Sequence, residues 1–211
     1  MIYDVAIVGY GPTGATLANL LGIQGFKVAV LEREPDLMPL PRAVHFDGEV
    51  MRIFETADLA TELLPRLRPS GGMRYVNTRG EIMIERKPAG EIGPHGWANN
   101  YLFHQPDLEY TLRAGAERHA NVHVFKQHEV TGLSQSDDDV TIQSQKQSFR
   151  ARWVVGCDGA RSIVRQAIGS GHEDLGLHQP WLVVDVLLER EVDLPAQTVQ
   201  YCDPARPVTF V

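Results

Sequence analysis

Cysteine is scarce. Cys157 and Cys202 are the only two in 211 residues, too few for a disulfide framework and not at zinc-ligand spacing. A reducing cytoplasm is the setting this usage suits. No stretch approaches the roughly 18 consecutive apolar residues of a membrane span. The N-terminus enters an apolar run at once, without the basic segment and small-residue cleavage site of a secretory signal. Basic blocks are also missing: 20 Lys+Arg stand against 27 Asp+Glu, for a net charge of −7. That balance argues against nucleic acid or an anionic membrane as the main partner, though a local Arg cluster can still hold an anionic small molecule. The eight histidines show no HExxH or other metal-ligand spacing, and no GxSxG elbow is present. What remains is an ordinary globular composition, 43% hydrophobic and 22% charged. It is long enough for one large domain, or for one domain and part of another.

The pattern along the chain is that of an α/β protein. Val5-Ala6-Ile7-Val8 reads as a strand buried on both faces. A glycine turn follows, then a helix with Leu17, Leu20 and Leu21 on one face, then a second buried strand, Val28 to Leu31. Strand, tight turn, helix and strand make a βαβ unit with parallel strands. A helix is expected over Asp47 to Glu55, with Val50, Ile53 and Phe54 on one face, and a hairpin over Met73–Asn77 and Glu81–Glu85 around Thr78-Arg79-Gly80. Pro88 to Asn100 reads as loop, and a helix begins near Pro106 and runs to about His119. Short strands follow, with Asp137-Asp138-Asp139 as a solvated turn between two of them. Trp153 to Cys157 reads as another buried strand leading to a helix over Arg161 to Ile168. Trp181–Leu188 and Thr198–Tyr201 read as strands, and the chain stops in mid-strand by its pattern, which suggests a fragment.

Two motifs carry chemistry. The first is Gly9-x-Gly11-Pro12-Thr13-Gly14. In this pattern the first glycine permits the tight turn, the second lets a pyrophosphate approach the backbone, and the third lets helix and strand pack closely. The helix N-terminus presents free N–H groups and a positive dipole end to phosphate. Glu32 ends the following strand, where a carboxylate can accept from ribose hydroxyls. A 2′-phosphate about 4 Å from Glu32 would be repelled by roughly 4 kcal/mol at an effective dielectric near 20, and Arg33 offsets only part of that. The site therefore favours an adenosine with a free 2′-OH, as in FAD or NAD. The second motif is Gly156-Cys157-Asp158-Gly159-Ala160-Arg161-Ser162-x-x-Arg165, a further strand-to-helix turn with an acid at its apex and cations beyond.

Taken together, these motifs resemble the class A flavoprotein aromatic hydroxylases, FAD-dependent monooxygenases in which such a "DG" segment serves both FAD and the nicotinamide cofactor. Pro41-Arg42-Ala43 resembles the family's loop whose Arg lies over the flavin, and Gln105-Pro106-x-Leu108-Glu109 its Gln-bearing helix start. Tyr201-Cys202-Asp203-Pro204-x-Arg206-Pro207 is similar to a substrate-domain strand of the 3-(3-hydroxyphenyl)propionate hydroxylases in particular. The family's downstream Gly-Asp flavin motif is not found in this stretch, in keeping with an N-terminal part.

The resemblance implies a Rossmann-like FAD-binding domain over 1–72 and 104–177, and part of an antiparallel β substrate domain over 73–103 and 178–211. It implies FAD, NAD(P)H as co-substrate, O₂, and a phenolic acid hydroxylated ortho to its hydroxyl through a flavin C4a-hydroperoxide. By the same resemblance Arg42 positions flavin or substrate, Gln105 meets the ribityl and phosphate region, and Val130 touches adenine through its backbone. Asp158 organises the turn near the cofactor, and Arg165 meets the nicotinamide cofactor's phosphates. No side chain here is required as a nucleophile, so none is assigned as catalytic. His45 is the only histidine near this set, Ser162 reads as a helix start, and Cys157 as a small buried residue. Homo-oligomerisation is compatible with the resemblance, and the rest of the polypeptide is expected to complete the site. Two alternatives stay open: an NAD-dependent dehydrogenase using the first motif, and a non-catalytic truncated flavin-binding module.

Overall fold

The computed structural model describes residues 1–88 and 90–211. In chain order the elements are β1 (Tyr3–Val8), α1 (Pro12–Ile23), β2 (Val28–Leu31), β3 (His45–Asp47), α2 (Gly48–Thr56), α3 (Ala60–Leu63) and β4 (Leu67–Pro69). They continue with β5 (Met73–Val76), β6 (Ile82–Arg86), β7 (Asn100–Phe103), α4 (Gln105–Glu117), β8 (Val122–Phe125), β9 (Val130–Gln135) and β10 (Val140–Ser144). The last are β11 (Ser148–Gly156), α5 (Ile163–Ala167), β12 (Thr198–Tyr201) and β13 (Val208–Phe210). The chain divides into two compact units, Met1–Pro69 with Ala89–Ser170, and Ser70–Pro88 with Gly171–Val211.

The first unit is built on a six-stranded sheet in the order β8-β2-β1-β11-β10-β9. The pairings β8–β2, β2–β1 and β1–β11 are parallel, and β11–β10–β9 are antiparallel. The run Val5–Val8 of β1 and all of β2 are apolar at every position because side chains alternate between two faces and both faces are covered there. Val5 and Ile7 of β1, with Val28 and Val30 of β2, enter one core with α1, α2, α3 and α4. Ala6, Val8, Ala29 and Leu31 enter another with Ile142, Phe149, Ala151 and Val164. A three-stranded antiparallel sheet, β3-β7-β4, lies in the same unit.

α1 meets its neighbours through small residues rather than through its leucines. Gly14, Ala15, Ala18, Asn19 and Gly22 are the buried set, while Leu17, Leu20 and Leu21 pack half-buried at the margins. The small face brings the backbones of α1 and α4 close enough for Asn19 Nδ2 to donate to both Ala15 O at 2.8 Å and Leu112 O at 2.7 Å. Tyr10, fully buried, adds a second tether: its hydroxyl donates to Arg113 O at 3.1 Å.

The second unit contains a four-stranded sheet, β13-β12-β5-β6. The expected hairpin is β5–β6, antiparallel, with Gly80 at φ 79° in its turn. β12 pairs with β13 antiparallel and with β5 in parallel, so the sheet has two antiparallel pairings and one parallel one.

Other expectations are corrected. Residues 90–103, expected with 73–88 in the substrate-domain segment, lie in the first unit, because β7 pairs with β3 and β4. The boundary after 170, rather than 177, likewise follows the end of the packed chain. Trp181–Leu188 forms no strand and is exposed; among the described residues no neighbouring strand supplies the hydrogen bonds that a sheet requires. Trp153 and Val155 are exposed, because no described element covers that part of β11. In α2 Met51 and Phe54 are buried and Ile53 is exposed, Asp47 being the N-cap that accepts from Val50 N at 3.0 Å. Asp139 is not a solvated turn residue; it is buried and paired with Arg150 of β11. α5 is shorter than the expected 161–168, starting only after its cap at Ser162.

Two substitutions test this packing. A Cβ at position 14 would collide with the carbonyl oxygen of Gly9, so Gly14→Ala is expected to cost about 3 kcal/mol in urea denaturation. The phenol of Tyr10 is held well above its ordinary pKa of 10.0, first by burial and then by the charge of Glu117. The unfolded chain ionises near pH 10 and the native one does not, so Tyr10 contributes stability that is intact below pH 10 and lost above it. Tyr10→Phe should cost about 1 kcal/mol at neutral pH and flatten the alkaline decline in melting temperature.

Candidate cofactor site

The carboxyl ends of parallel strands β1, β2 and β11 are where an open α/β sheet presents ligands, and the glycine turn, Glu32 and the Asp158 turn follow directly on those ends. At the end of β1 the chain turns at Gly9, whose φ of 100° is a left-handed conformation suited to glycine. Its N–H donates to Leu31 O at 2.8 Å, fixing the turn to β2. A Cβ on Gly9 would strike the backbone of Cys157, so the turn after β11 lies directly against it, and Cys157 N donates to Val8 O at 2.7 Å.

Gly11 is the N-cap of α1 and Pro12 begins the helix. Nothing stands within 4 Å of where a Gly11 Cβ would be. No side chain caps the helix start, and its first turn carries no acidic residue. Thr13 is exposed. Open space in front of uncapped helix amides fits a diphosphate.

Glu32, 8% exposed, sits beside this opening. Its Oε2 accepts from Tyr10 N at 2.8 Å and its Oε1 from Glu34 N at 2.8 Å. Glu32 thus braces the glycine turn, and each of its oxygens retains a lone pair that can accept a further hydrogen bond. Arg33 points away into solvent and pairs with Glu34 at 3.2 Å. The carbonyl of Glu32 takes the N–H of His128 at 2.8 Å, which brings the start of β9 near; the side chain of Val130 is buried in the core there.

Arg42 joins the set through α4. Oε1 of buried Gln105 accepts from Arg42 N at 2.6 Å and Ala43 N at 2.7 Å, and Arg42 Nη2 reaches Glu109 Oε1 at 2.9 Å. Gln105 Nε2 donates to the same Glu109 oxygen at 2.6 Å. Arg113 stands 3.7 Å from the other Glu109 oxygen, with its guanidinium 4.8 Å from the Tyr10 ring centroid. Glu109 stands in the quoted helix-start motif without an assigned role, and Arg113 and Tyr10 were not singled out. The signal available was the i, i+4 polar row Gln105, Glu109, Arg113 beside the apolar pair Leu108 and Leu112.

The DG turn is satisfied within itself. Asp158 Oδ1 accepts from Ser162 Oγ at 2.5 Å, and Oδ2 from Ile163 N at 2.7 Å and Val164 N at 3.2 Å. Ser162 caps α5 by accepting from Arg165 N at 3.0 Å. Arg165 Nη1 donates to Ala160 O at 2.9 Å, so this half-buried cation is folded over its own turn. Burial, and secondarily the charge of Asp158, pushes the Cys157 thiol up, which keeps it protonated and unreactive at neutral pH. His45 bonds Asn100 Oδ1 at 2.7 Å on the exposed β3–β7 pair and takes no part in the cluster. Among the described residues no group of His, Cys, Asp or Glu is arranged to hold a metal, and no helix is long and apolar enough to cross a membrane.

Comparison with known proteins agrees with this geometry. The profile of a family described as "FAD binding domain" matches residues 2–207. A probable NADH-specific resorcinol 4-hydroxylase of Rhodococcus jostii (strain RHA1) is 41% identical over 99% of this chain and 40% of its own length. A 3-(3-hydroxy-phenyl)propionate/3-hydroxycinnamic acid hydroxylase of Burkholderia cenocepacia (strain HI2424) is 39% identical over 97% of this chain and 38% of its own. Among solved structures, p-nitrophenol 4-monooxygenase from Pseudomonas putida DLL-E4 superposes with a TM-score of 0.74 at 30% identity, over 80% of this chain and 44% of that one. The chain thus spans about two fifths of the length of the curated relatives it matches. With a glycine turn, a strand-end acid and a DG turn in contact, and a family profile over nearly all its residues, the chain belongs to the FAD-binding domain family.

Proposed function

We propose that the polypeptide containing this chain is an FAD-dependent, NAD(P)H- and O₂-using monooxygenase that hydroxylates a phenolic acid ortho to its ring hydroxyl. The first unit is its cofactor-binding part and the second the beginning of its substrate-binding part. The observation that carries this reading is the meeting of the open glycine turn, braced by Glu32, with the DG turn and with an Arg42 loop anchored on α4. A plain nicotinamide dehydrogenase needs neither the DG turn nor the Arg42 loop. The names of the relatives support a phenol as substrate, since both hydroxylases are named for compounds bearing a ring hydroxyl.

Bound flavin would supply the redox and oxygen chemistry. The residues of this chain hold and orient. The amides at the start of α1 face the diphosphate, Glu32 accepts from ribose, and Arg42 and Gln105 support the flavin side. Asp158 holds the DG turn and Arg165 offers a cation to the nicotinamide cofactor. The backbone at Val130 lies toward the adenosine end, and Arg33, turned to solvent, contributes there only at long range. None of them exchanges a covalent bond with substrate, so positioning and exclusion of water are their contribution.

The test is made on the intact gene product. Flavin absorption bands that survive desalting, with NADH or NADPH oxidation stimulated by phenolic acids and coupled to hydroxylated product, are expected. A colourless protein that reduces NAD would replace this reading with a dehydrogenase, and bound flavin without turnover would replace it with a binding module. Glu32→Ala should raise the FAD dissociation constant by roughly 10- to 100-fold, the scale of a hydrogen bond to a charged group. Arg165→Ala should raise the KM for NAD(P)H and leave flavin content unchanged; loss of flavin would move Arg165 to the FAD site.

A further inference from the structure

Glu109 is the buried acid that the proposed chemistry leaves without a task. Its side chain is 3% exposed, yet two guanidinium groups and an amide converge on it. Burying a carboxylate is costly unless its partners are well placed, so the arrangement has a function beyond filling space. Two features say which.

The first is the orientation of Gln105. A carboxylate can only accept hydrogen bonds, so the end of Gln105 that faces Glu109 must be Nε2. Oε1 is thereby left facing the backbone N–H groups of Arg42 and Ala43, both of which it accepts. Were the amide reversed, its NH₂ would meet two further donors. Glu109 thus determines how the Arg42 loop is held. The second feature is charge. Arg42 and Arg113 share this one carboxylate, and Nε and Nη1 of buried Arg113 have no hydrogen-bond partner among the described residues. Of the two cations only Arg42 reaches solvent, its side chain being 47% exposed. Arg42 is therefore the one cation of this pair that a ligand can reach. Arg113 in turn stacks on Tyr10, whose N–H is held by Glu32. The network runs without a break from the glycine turn to the Arg42 loop.

We infer that Glu109 is a positioning residue for the cofactor site: its carboxylate orients Gln105 and the Arg42 guanidinium and couples them, through Arg113 and Tyr10, to the glycine turn. This rests on the reading above in which Arg42 faces the flavin.

The test is a double-mutant cycle in the full-length protein, reading the FAD dissociation constant and the visible absorption and circular dichroism of bound flavin. Glu109→Gln keeps the volume and removes the charge, and is expected to weaken FAD binding about 10-fold and alter the flavin spectrum. Arg42→Ala should have a comparable effect, and the double variant should lose clearly less than the sum of the two, because they share the Arg42–Glu109 contact. Melting of each apoprotein separates this from loss of fold. If Glu109→Gln does not fold, the same cycle is run with Glu109→Asp, which keeps the charge and shortens the reach. Wild-type affinity and spectrum in the Glu109 variant, or additive effects, would overturn the inference. If Arg42→Ala itself leaves FAD binding and spectrum unchanged, the flavin-side reading of Arg42 falls, and the role of Glu109 with it. If Arg42→Ala weakens binding and Glu109→Gln does not, only the role of Glu109 falls.

Discussion

Backbone touches backbone where β1, α1 and β11 meet, and the rest of the first unit is arranged around that contact. Neither Gly9 nor Gly14 has room for one further carbon: the carbonyl of Gly9 lies under the first turn of α1, and the carbonyl of Cys157 lies against Gly9. A side chain at Gly14 would push the helix off the turn after β1, and one at Gly9 would push away the turn after β11. The uncapped amides of α1 carry the positive end of the helix dipole, and they have a defined target only while this contact holds them. The same approach seats Ala15 and Ala18 in the core and lets Asn19 bond across to α4. Close packing and ligand geometry are here one constraint.

Three carboxylates supply the remaining order, over different ranges. Asp158 works within its own turn, taking Ser162, Ile163 and Val164. Glu32 joins the end of β2 to the glycine turn through Tyr10 N. Glu109 reaches furthest, to Arg42, 67 positions away. Each accepts from two or more donors, and because an ionised acid cannot donate, each imposes a unique orientation on its partners. That is a different contribution from the apolar cores, which favour compactness without selecting which polar group points where.

Much of the scaffold was readable from local pattern. β1, α1 and β2 follow from two short apolar runs on either side of a glycine turn. The β5–β6 hairpin follows from Gly80, and the start of α4 from Gln105-Pro106. The recognised site residues Gly9, Gly11, Gly14 and Glu32 belong to the same class, since the spacing of a βαβ turn is itself local. The short strands β3, β4 and β7 escaped notice because three or four residues carry too little periodicity to identify a strand without its partners. Trp181–Leu188 shows the converse: an apolar run with strand composition that pairs with no strand among the described residues.

The sequence by itself determined where the chain turns, which strands are apolar on both faces, and that a helix N-terminus with small residues follows the first of them. These depend on neighbours a few positions apart. Only the tertiary structure decided that Asp139 is buried against Arg150, that Arg33 faces solvent while Arg42 is anchored, and that Glu109, Arg113 and Tyr10 bind the two ends of the site together. Charge pairing between distant segments depends on which side chains the fold brings within about 3 Å, and that distance is set by the packing of whole elements rather than by any residue's own preference.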